Sequence, residues 1–261
     1  ACQLPTSLYL PVASGATARN TYLPHAAWLG ILAATSAAAG VSAPENAVPH
    51  YAEKFSAAAG TTPIAEDRYL LLDAYFKPHA AVRHVHYGAE AARIIRGRLK
   101  GGTQGVTAIQ LRIYREATIY CGNRDPRTPI QGQFSLTFGV AAALLHGGIE
   151  ASVYRPGTFD DAELRRLEAL VQVEVDEALS AANERGATLT VEAAGERFEE
   201  RVTAVKGDPA LPMTPDEVRE KFVRYAEPCV NRERATAFAD EVLSTQPAAS
   251  VSRLWQALGG R

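Results

Sequence analysis

The segment FKPHAAVRHVH, residues 76–86, gathers a lysine, an arginine and three histidines beside a proline. Lysine and histidine side chains can take or give a proton during a reaction. The planar guanidinium of an arginine matches the two oxygens of a carboxylate. The segment therefore predicts a site that binds a carboxylate-bearing ligand and moves a proton on it. The alternative is that these side chains cap a helix and contact solvent.

Two local features would position these side chains. Lys77 precedes Pro78, and a residue before proline is disfavoured in helical conformation, so we predict that Lys77 lies on an extended loop. A partly buried lysine there could have its pKa lowered toward neutrality. A helix is predicted to begin near His84, with His84 and His86 in its first turn on either side of an apolar stripe. The exposed amides and the dipole at such an end favour anions.

The residues before and after this segment predict a helical region, then a mixed region, then a second helical region. Residues 21–40 are rich in alanine, nearly uncharged and followed by further helical sequence, so we predict a buried helix that stops at Gly40 and a second one that ends near Gly60. Alternating apolar residues predict four strands, of which the last two form a hairpin: VTAIQLRIY, VQVEVD, TLTVEA and RFEERVTAV.

Capping signals mark two further helix starts. Thr128 and Thr214 are each followed by proline, and each stands three residues before a glutamine or a glutamate. The helix over QFSLTFGVAAALLHG is predicted to stop at Gly147, and the C-terminal tail reads as two more amphipathic helices. We therefore predict an α+β fold with a helical body over 1–66, an α+β body over 67–212, and C-terminal helices over 213–261 that pack on the helical body.

Composition narrows the class of function. The chain has 261 residues and a formal net charge of −2, so nothing favours nucleic acid or a membrane surface as a partner. Cys2, Cys121 and Cys229 are far apart and lack the spacing of a metal site, so we predict free thiols, no metal and a cytoplasmic location. Because the chain begins with Ala1 and its one methionine is Met213, we expect it to be part of a longer protein.

Several segments resemble the MmgE/PrpD family, which includes 2-methylcitrate dehydratase and cis-aconitate decarboxylase. FKPHAAVRHVH is similar to the family segment KPYPxCRxxH, and NRDPRTPIQGQFSLTFGVAAALLHGGI is similar to its P-x-(S/T)…AxFSxxYxxAxxLxxG helix. Further matches follow in family order: YLPHAAWLGILAATSAAAG, TFDDAELRRLEALVQVEVD and PMTPDEVREKF. Arg19, Tyr22 and Phe138 stand where the family has lysine, histidine and tyrosine, and the first half of the family's helical domain has no counterpart here.

The resemblance implies a large helical domain, a smaller α+β lid, and cofactor-free acid–base chemistry on a small polycarboxylate in the cleft between them. A homodimer is expected because an incomplete helical domain would leave the apolar faces of residues 21–40 uncovered. It implies Lys77 and His86 as catalytic residues, with His86 either the acid that meets a leaving hydroxyl or an orienting partner. The substrate-binding candidates that go with them are Arg83, Arg19, His84, Gln133 and Ser135. No cofactor is expected.

Three functions remain open at this point. The first is a hydro-lyase of the 2-methylcitrate dehydratase kind, which serves propionate metabolism and needs a base for a carbon-bound proton and an acid for the leaving hydroxyl. The second is an isomerase, epimerase or decarboxylase of the same family, since all begin from a carbanion beside a carboxylate. The third is a non-catalytic fragment or one half of a two-chain assembly, in which the apolar faces of residues 21–40 would be left uncovered.

Overall fold

The computed structural model describes residues 10–47, 50 and 70–244, and the chain divides into two compact units, Ala1–Leu72 and Asp73–Arg261. The first unit contains helices α1 (Leu10–Ala13) and α2 (Tyr22–Ala38), with a 3-10 turn at Thr17–Thr21 between them. Gly40 has a φ of +89°, a left-handed conformation that ends α2 where the sequence predicted. The helix predicted to end near Gly60 lies outside the described residues.

Helix α2 presents a broad apolar surface. Trp28, Leu29, Ile31 and Leu32 are all exposed, and Ile31 retains 66% of its accessible surface. A contiguous apolar surface of this kind usually marks a contact with another protein element. The predicted burial of this helix is therefore wrong, since none of its described side chains is buried. The exposure agrees with the alternative in which this face is left uncovered, whereas the homodimer stays a prediction.

The second unit is an α+β body, which confirms the predicted mixture of helices and a sheet. Its strands are β1 (Val106–Ile113), β2 (Val171–Val175), β3 (Ala187–Ala193) and β4 (Glu196–Val202). Its helices are α3 (Arg83–Arg96), α4 (Arg115–Tyr120), α5 (Pro129–Gln133), α6 (Leu136–His146), α7 (Ala162–Leu170), α8 (Glu177–Ala181), α9 (Pro215–Val230) and α10 (Arg232–Ser244). Its described 3-10 turns are Ala151–Tyr154 and Thr158–Asp160, and a further one, Leu70–Asp73, spans the sequence boundary between the two units.

The four predicted strands form one mixed sheet in the order β2-β1-β3-β4. Strand β1 runs parallel to β2 and antiparallel to β3, so that Leu111 pairs with Val173 on one side and Leu189 on the other. A parallel pair needs a crossover connection, which here carries helices α4 to α7. Strands β3 and β4 form the predicted hairpin, in which Ala194 and Gly195 both have positive φ, as a two-residue turn requires.

Helix α3 is fixed by close packing against the sheet and against α6. A Cβ atom on Gly139 of α6 would lie 2.2 Å from Cγ1 of Val85, and a Cβ atom on Gly88 of α3 would lie 3.1 Å from side-chain atoms of both Leu111 and Val140. A side chain at Gly139 would therefore collide with Val85, and one at Gly88 would be tightly packed. This contact sets the position of the first turn of α3 relative to β1.

The capping signals in the sequence are confirmed. Thr128 accepts a hydrogen bond from the Gln131 amide at the start of α5, and Thr214 forms a reciprocal capping box with Glu217 at the start of α9. The helix predicted over QFSLTFGVAAALLHG begins only at Leu136, because the Ser135 side chain caps it. It ends at Gly147, whose φ is +82°.

Helices α9 and α10 pair with each other through a small core of Val223, Ala235 and Ala239. Helix α9 confirms the helix predicted to start after Thr214, and α10 confirms the first of the two amphipathic helices predicted for the tail. The second of those two lies outside the described residues. The division into 1–66, 67–212 and 213–261, with the C-terminal helices on the helical body, stays a prediction. None of the helices in the described part of the chain combines the length and apolar character needed to cross a membrane.

Candidate active site

Lys77 lies before α3 in a stretch without regular secondary structure, as predicted, but its side chain is exposed, so the expected partial burial is wrong. The stretch is anchored next to Lys77, because the Phe76 amide donates to the Gly207 carbonyl oxygen at 3.0 Å. Gly207 has a φ of +96°, and a Cβ atom on it would lie 2.3 Å from the Phe76 carbonyl oxygen. Only glycine fits this contact between two backbones.

Arg83, the first residue of α3, is buried and forms an ion pair with Asp208. Its guanidinium also lies over the rings of Tyr75 and Tyr87, at 5.1 and 4.9 Å from their centroids. The other carboxylate oxygen of Asp208 accepts the Val205 amide at 2.8 Å. Arg83 thus ties the segment before α3 to the loop after β4, and its role as a carboxylate clamp stays a prediction.

His86 is fully buried and has a hydrogen-bond partner at each ring nitrogen. Because a carbonyl oxygen only accepts and a guanidinium only donates, Nε2–H donates to the Ala81 carbonyl at 3.1 Å, and Nδ1 faces Arg83 Nη1 at 3.5 Å. Burial, helped by His79, lowers the pKa of His86 to about 3. Of the two roles left open for a neutral and enclosed histidine, this arrangement favours an orienting partner of Arg83.

His84 is half-buried and lies between two tyrosines. Its Nδ1 atom is 2.6 Å from the hydroxyl oxygen of Tyr114, and its ring stacks on Tyr120 with centroids 5.7 Å apart and planes 15° apart. Burial lowers the pKa of His84, the charge of Glu116 raises it, and the charges of Arg185 and Lys77 lower it. His84 is therefore neutral near pH 7, and the Lys77 ammonium is close enough to act on it.

The described contacts of Gln133 and Ser135 are structural, and only Gln133 contacts the residue before α3. The Gln133 carbonyl oxygen accepts the Val82 amide at 3.0 Å, which joins the end of α5 to the residue before α3. Ser135 is fully buried, donates its hydroxyl to the Asn123 carbonyl at 2.6 Å and accepts the Phe138 amide at 3.2 Å. Substrate binding by Gln133 and Ser135 stays a prediction.

Comparison of the sequence with known proteins identifies the family of this chain. The family model described as MmgE/PrpD C-terminal domain matches residues 79–245, which is more than half of the chain. This chain belongs to the MmgE/PrpD family. A similar curated protein is the cis-aconitate decarboxylase-like protein oryM of Aspergillus oryzae, which is 32% identical over 138 residues, covering 52% of this chain and 28% of the relative. The aligned part thus spans little more than a quarter of that relative's length.

The matched part of this MmgE/PrpD chain includes α3 and the tyrosines around His84, but Lys77 lies just before it and Arg19 far before it. The side chain of Arg19 lies outside the described residues. Tyr114 is the last residue of the predicted strand segment VTAIQLRIY, but β1 ends at Ile113 and Tyr114 is buried. An aromatic residue at the end of a predicted strand was the signal in the sequence for it.

The buried imidazole of His86 makes the stability of this MmgE/PrpD protein depend on pH. Because burial depresses its pKa from 6.5 to about 3, the unfolded chain binds the proton first. Its contribution to the free energy of unfolding is complete above pH 6.5 and is lost as pH falls toward 3. Between pH 7 and pH 5 the loss is about 2 kcal/mol, from 1.36 kcal/mol per pH unit.

Urea unfolding at pH 7 and pH 5 measures this loss. His86→Gln is expected to have a lower free energy of unfolding than wild type at pH 7, because it disturbs a buried network. Between pH 7 and pH 5, however, its free energy of unfolding should fall by about 2 kcal/mol less than that of wild type. The exposed His25 supplies the control, since His25→Gln should follow the wild-type pH dependence. Equal pH dependence in wild type and His86→Gln would show that His86 is not a buried neutral group.

Proposed function

We propose that this protein is a cofactor-free lyase that acts on a small polycarboxylate by acid–base chemistry, as in the dehydration of 2-methylcitrate. The observation that carries the proposal is the cluster of Lys77 and His84 at the start of α3. Helix α3 has 14 residues, no acidic residue in its first turn and no side-chain cap on its first amides. Those amides and the Lys77 ammonium together favour a carboxylate at this end.

Lys77 supplies the proton in this proposal. Exposure to water favours the charged form of a lysine, so that the ammonium is a proton donor as well as a fixed positive charge. In a dehydration the C–H and C–O bonds break, a C=C bond forms, and the hydroxyl leaves as water after it receives the donor's proton. A base must take the carbon-bound proton in that reaction.

Decarboxylation is the second candidate, and the name of the oryM relative favours it. There the C–C bond to a carboxylate breaks, carbon dioxide leaves, and the electron pair stays on a carbon beside another carboxylate. A proton donor then protonates that carbon, and no base is needed. A lysine ammonium beside a carboxylate-binding helix end therefore fits this reaction with fewer groups than dehydration requires.

The finer predictions belong to this proposal. They are the use of residues 67–212 as the lid of a larger enzyme, a homodimer, a cytoplasmic location, and substrate contacts from Arg19, Arg83, Gln133 and Ser135. His86 enters the proposal as an orienting partner of Arg83, because both of its ring nitrogens face partners in the interior.

Product analysis tests the proposed reaction. The purified protein is incubated with 2-methylcitrate, citrate and cis-aconitate after dialysis against a chelator. Alkene formation without carbon dioxide supports dehydration, and release of carbon dioxide supports decarboxylation. Turnover that disappears on chelation contradicts the cofactor-free mechanism, and absence of turnover on all three compounds contradicts the proposal as a whole.

A further inference from the structure

Tyr114 is held rigidly beside His84. It is 3% exposed, its carbonyl oxygen accepts the Ala117 amide at the start of α4, and its ring packs edge-on against Tyr87 with centroids 6.1 Å apart. Its hydroxyl forms a hydrogen bond of 2.6 Å with His84 Nδ1. Tyr114 therefore meets the histidine through one fixed polar atom.

The direction of this hydrogen bond follows from the cost of burying a polar hydrogen. If His84 Nδ1–H donated to Tyr114, the tyrosine's own O–H would be left buried without an acceptor among the described residues, which costs about 1–3 kcal/mol. If the tyrosine donates, its hydrogen is satisfied and Nδ1 is the acceptor. Burial raises the pKa of Tyr114, so the hydroxyl keeps its proton to donate. The favoured direction is therefore the one in which the Tyr114 hydroxyl donates to His84 Nδ1.

The other ring nitrogen of His84 must then carry the hydrogen. Within the described residues the structure gives Nε2 no hydrogen-bond partner, and the ring is only half-buried. Its stacking partner Tyr120 is exposed as well. The charged groups that act on His84 are Lys77 from the preceding segment, Glu116 from α4 and Arg185 from the residues before β3.

We propose that Tyr114 is a positioning residue that holds His84 as the neutral Nε2–H tautomer, and that His84 donates this hydrogen to the substrate carboxylate on which negative charge develops. The inference rests on the proposed function and deepens it. It excludes His84 as the base, because Nδ1 is occupied and Nε2 already carries a proton. Proton donation is left to Lys77, while His84 stabilises charge without a net charge of its own.

Nitrogen-15 NMR of the histidine side chains reads the tautomer without any substrate. The wild-type spectrum at pH 7 is expected to show His84 as the Nε2–H form, with His84→Gln identifying its signals. In Tyr114→Phe the two neutral tautomers should become mixed, since the acceptor at Nδ1 loses its donor. Tyr87→Phe is the matched control, because it removes a hydroxyl from the ring packed against Tyr114 and should leave the tautomer unchanged.

The inference is overturned by an Nδ1–H or imidazolium His84 in the wild type at pH 7, or by a tautomer that does not change in Tyr114→Phe. Citrate serves as the carboxylate probe, and its addition is expected to shift the His84 Nε2–H resonance. A resonance that does not move in a protein that turns polycarboxylates over would overturn the donor role alone. Absence of turnover with the expected tautomer would instead count against the proposed function and leave the Tyr114 hydrogen bond established.

Discussion

Replacement of Lys77 by alanine is expected to lower polycarboxylate turnover by about 10²- to 10⁴-fold, the usual range for a proton-transfer group. The same change should alter the free energy of unfolding by less than about 0.5 kcal/mol, because the side chain is exposed. Lys77→Ala is therefore expected to lower turnover while leaving the free energy of unfolding almost unchanged. Steady-state kinetics and urea unfolding of the same preparation measure the two quantities.

Two further variants make this prediction specific. Lys77→Arg keeps the positive charge but cannot realistically lose a proton, so it should bind substrate and remain inactive if Lys77 donates a proton. Lys100→Ala removes another exposed lysine and should retain wild-type turnover. Turnover within a factor of two or so of wild type in both Lys77 variants would remove Lys77 from the mechanism.

Loss of the Arg83–Asp208 ion pair is expected to lower the free energy of unfolding by about 3–5 kcal/mol, because Asp208→Asn leaves the buried Arg83 charge unpaired and Arg83→Met leaves the partly buried Asp208 carboxylate without its cation. Arg83→Met and Asp208→Asn remove one partner each. The double variant should cost clearly less than the sum of the two, since no charge is then left alone. Urea unfolding of the wild type, the two single variants and the double variant gives the interaction energy of the pair as a double-mutant cycle.

An exposed pair provides the comparison for this cycle. Arg197 and Glu199 lie 3.0 Å apart with more than half of each side chain exposed, so Arg197→Met should cost less than about 1 kcal/mol. A similarly small cost at Arg83 would contradict the structural role. If Arg83→Met folded normally and raised KM for polycarboxylates, the carboxylate clamp predicted from the sequence would be supported instead.

The parts of this protein that could be predicted from its sequence depend on neighbours along the chain. Alternation gave the four strands, Thr128 and Thr214 gave helix starts, and Pro78 placed Lys77 on a loop, because each signal acts within a few residues. The residue at which an element ends was harder to predict. Tyr114 was included in the predicted strand because the apolar alternation runs one residue beyond Ile113, where the strand ends.

The partners within the candidate site could not be predicted in the same way. Arg83 meets Asp208 across 125 positions of sequence, and His84 meets Tyr114 across 30. Such pairs depend on the sheet order and on close helix packing, and a single sequence contains no periodic signal for either. The exposure of Lys77 also depends on a distant loop, because that loop fixes the backbone beside it.

The backbone contact between Phe76 and Gly207 has a consequence for binding entropy. Fixing one residue's backbone costs about 1–2 kcal/mol at room temperature. Phe76, the residue before Lys77, loses this backbone freedom when the chain folds, because its amide hydrogen bond to Gly207 and the close contact between the two backbones already fix it. A ligand that reaches Lys77 therefore has to order only the lysine's flexible side chain, and more of the interaction energy remains as affinity.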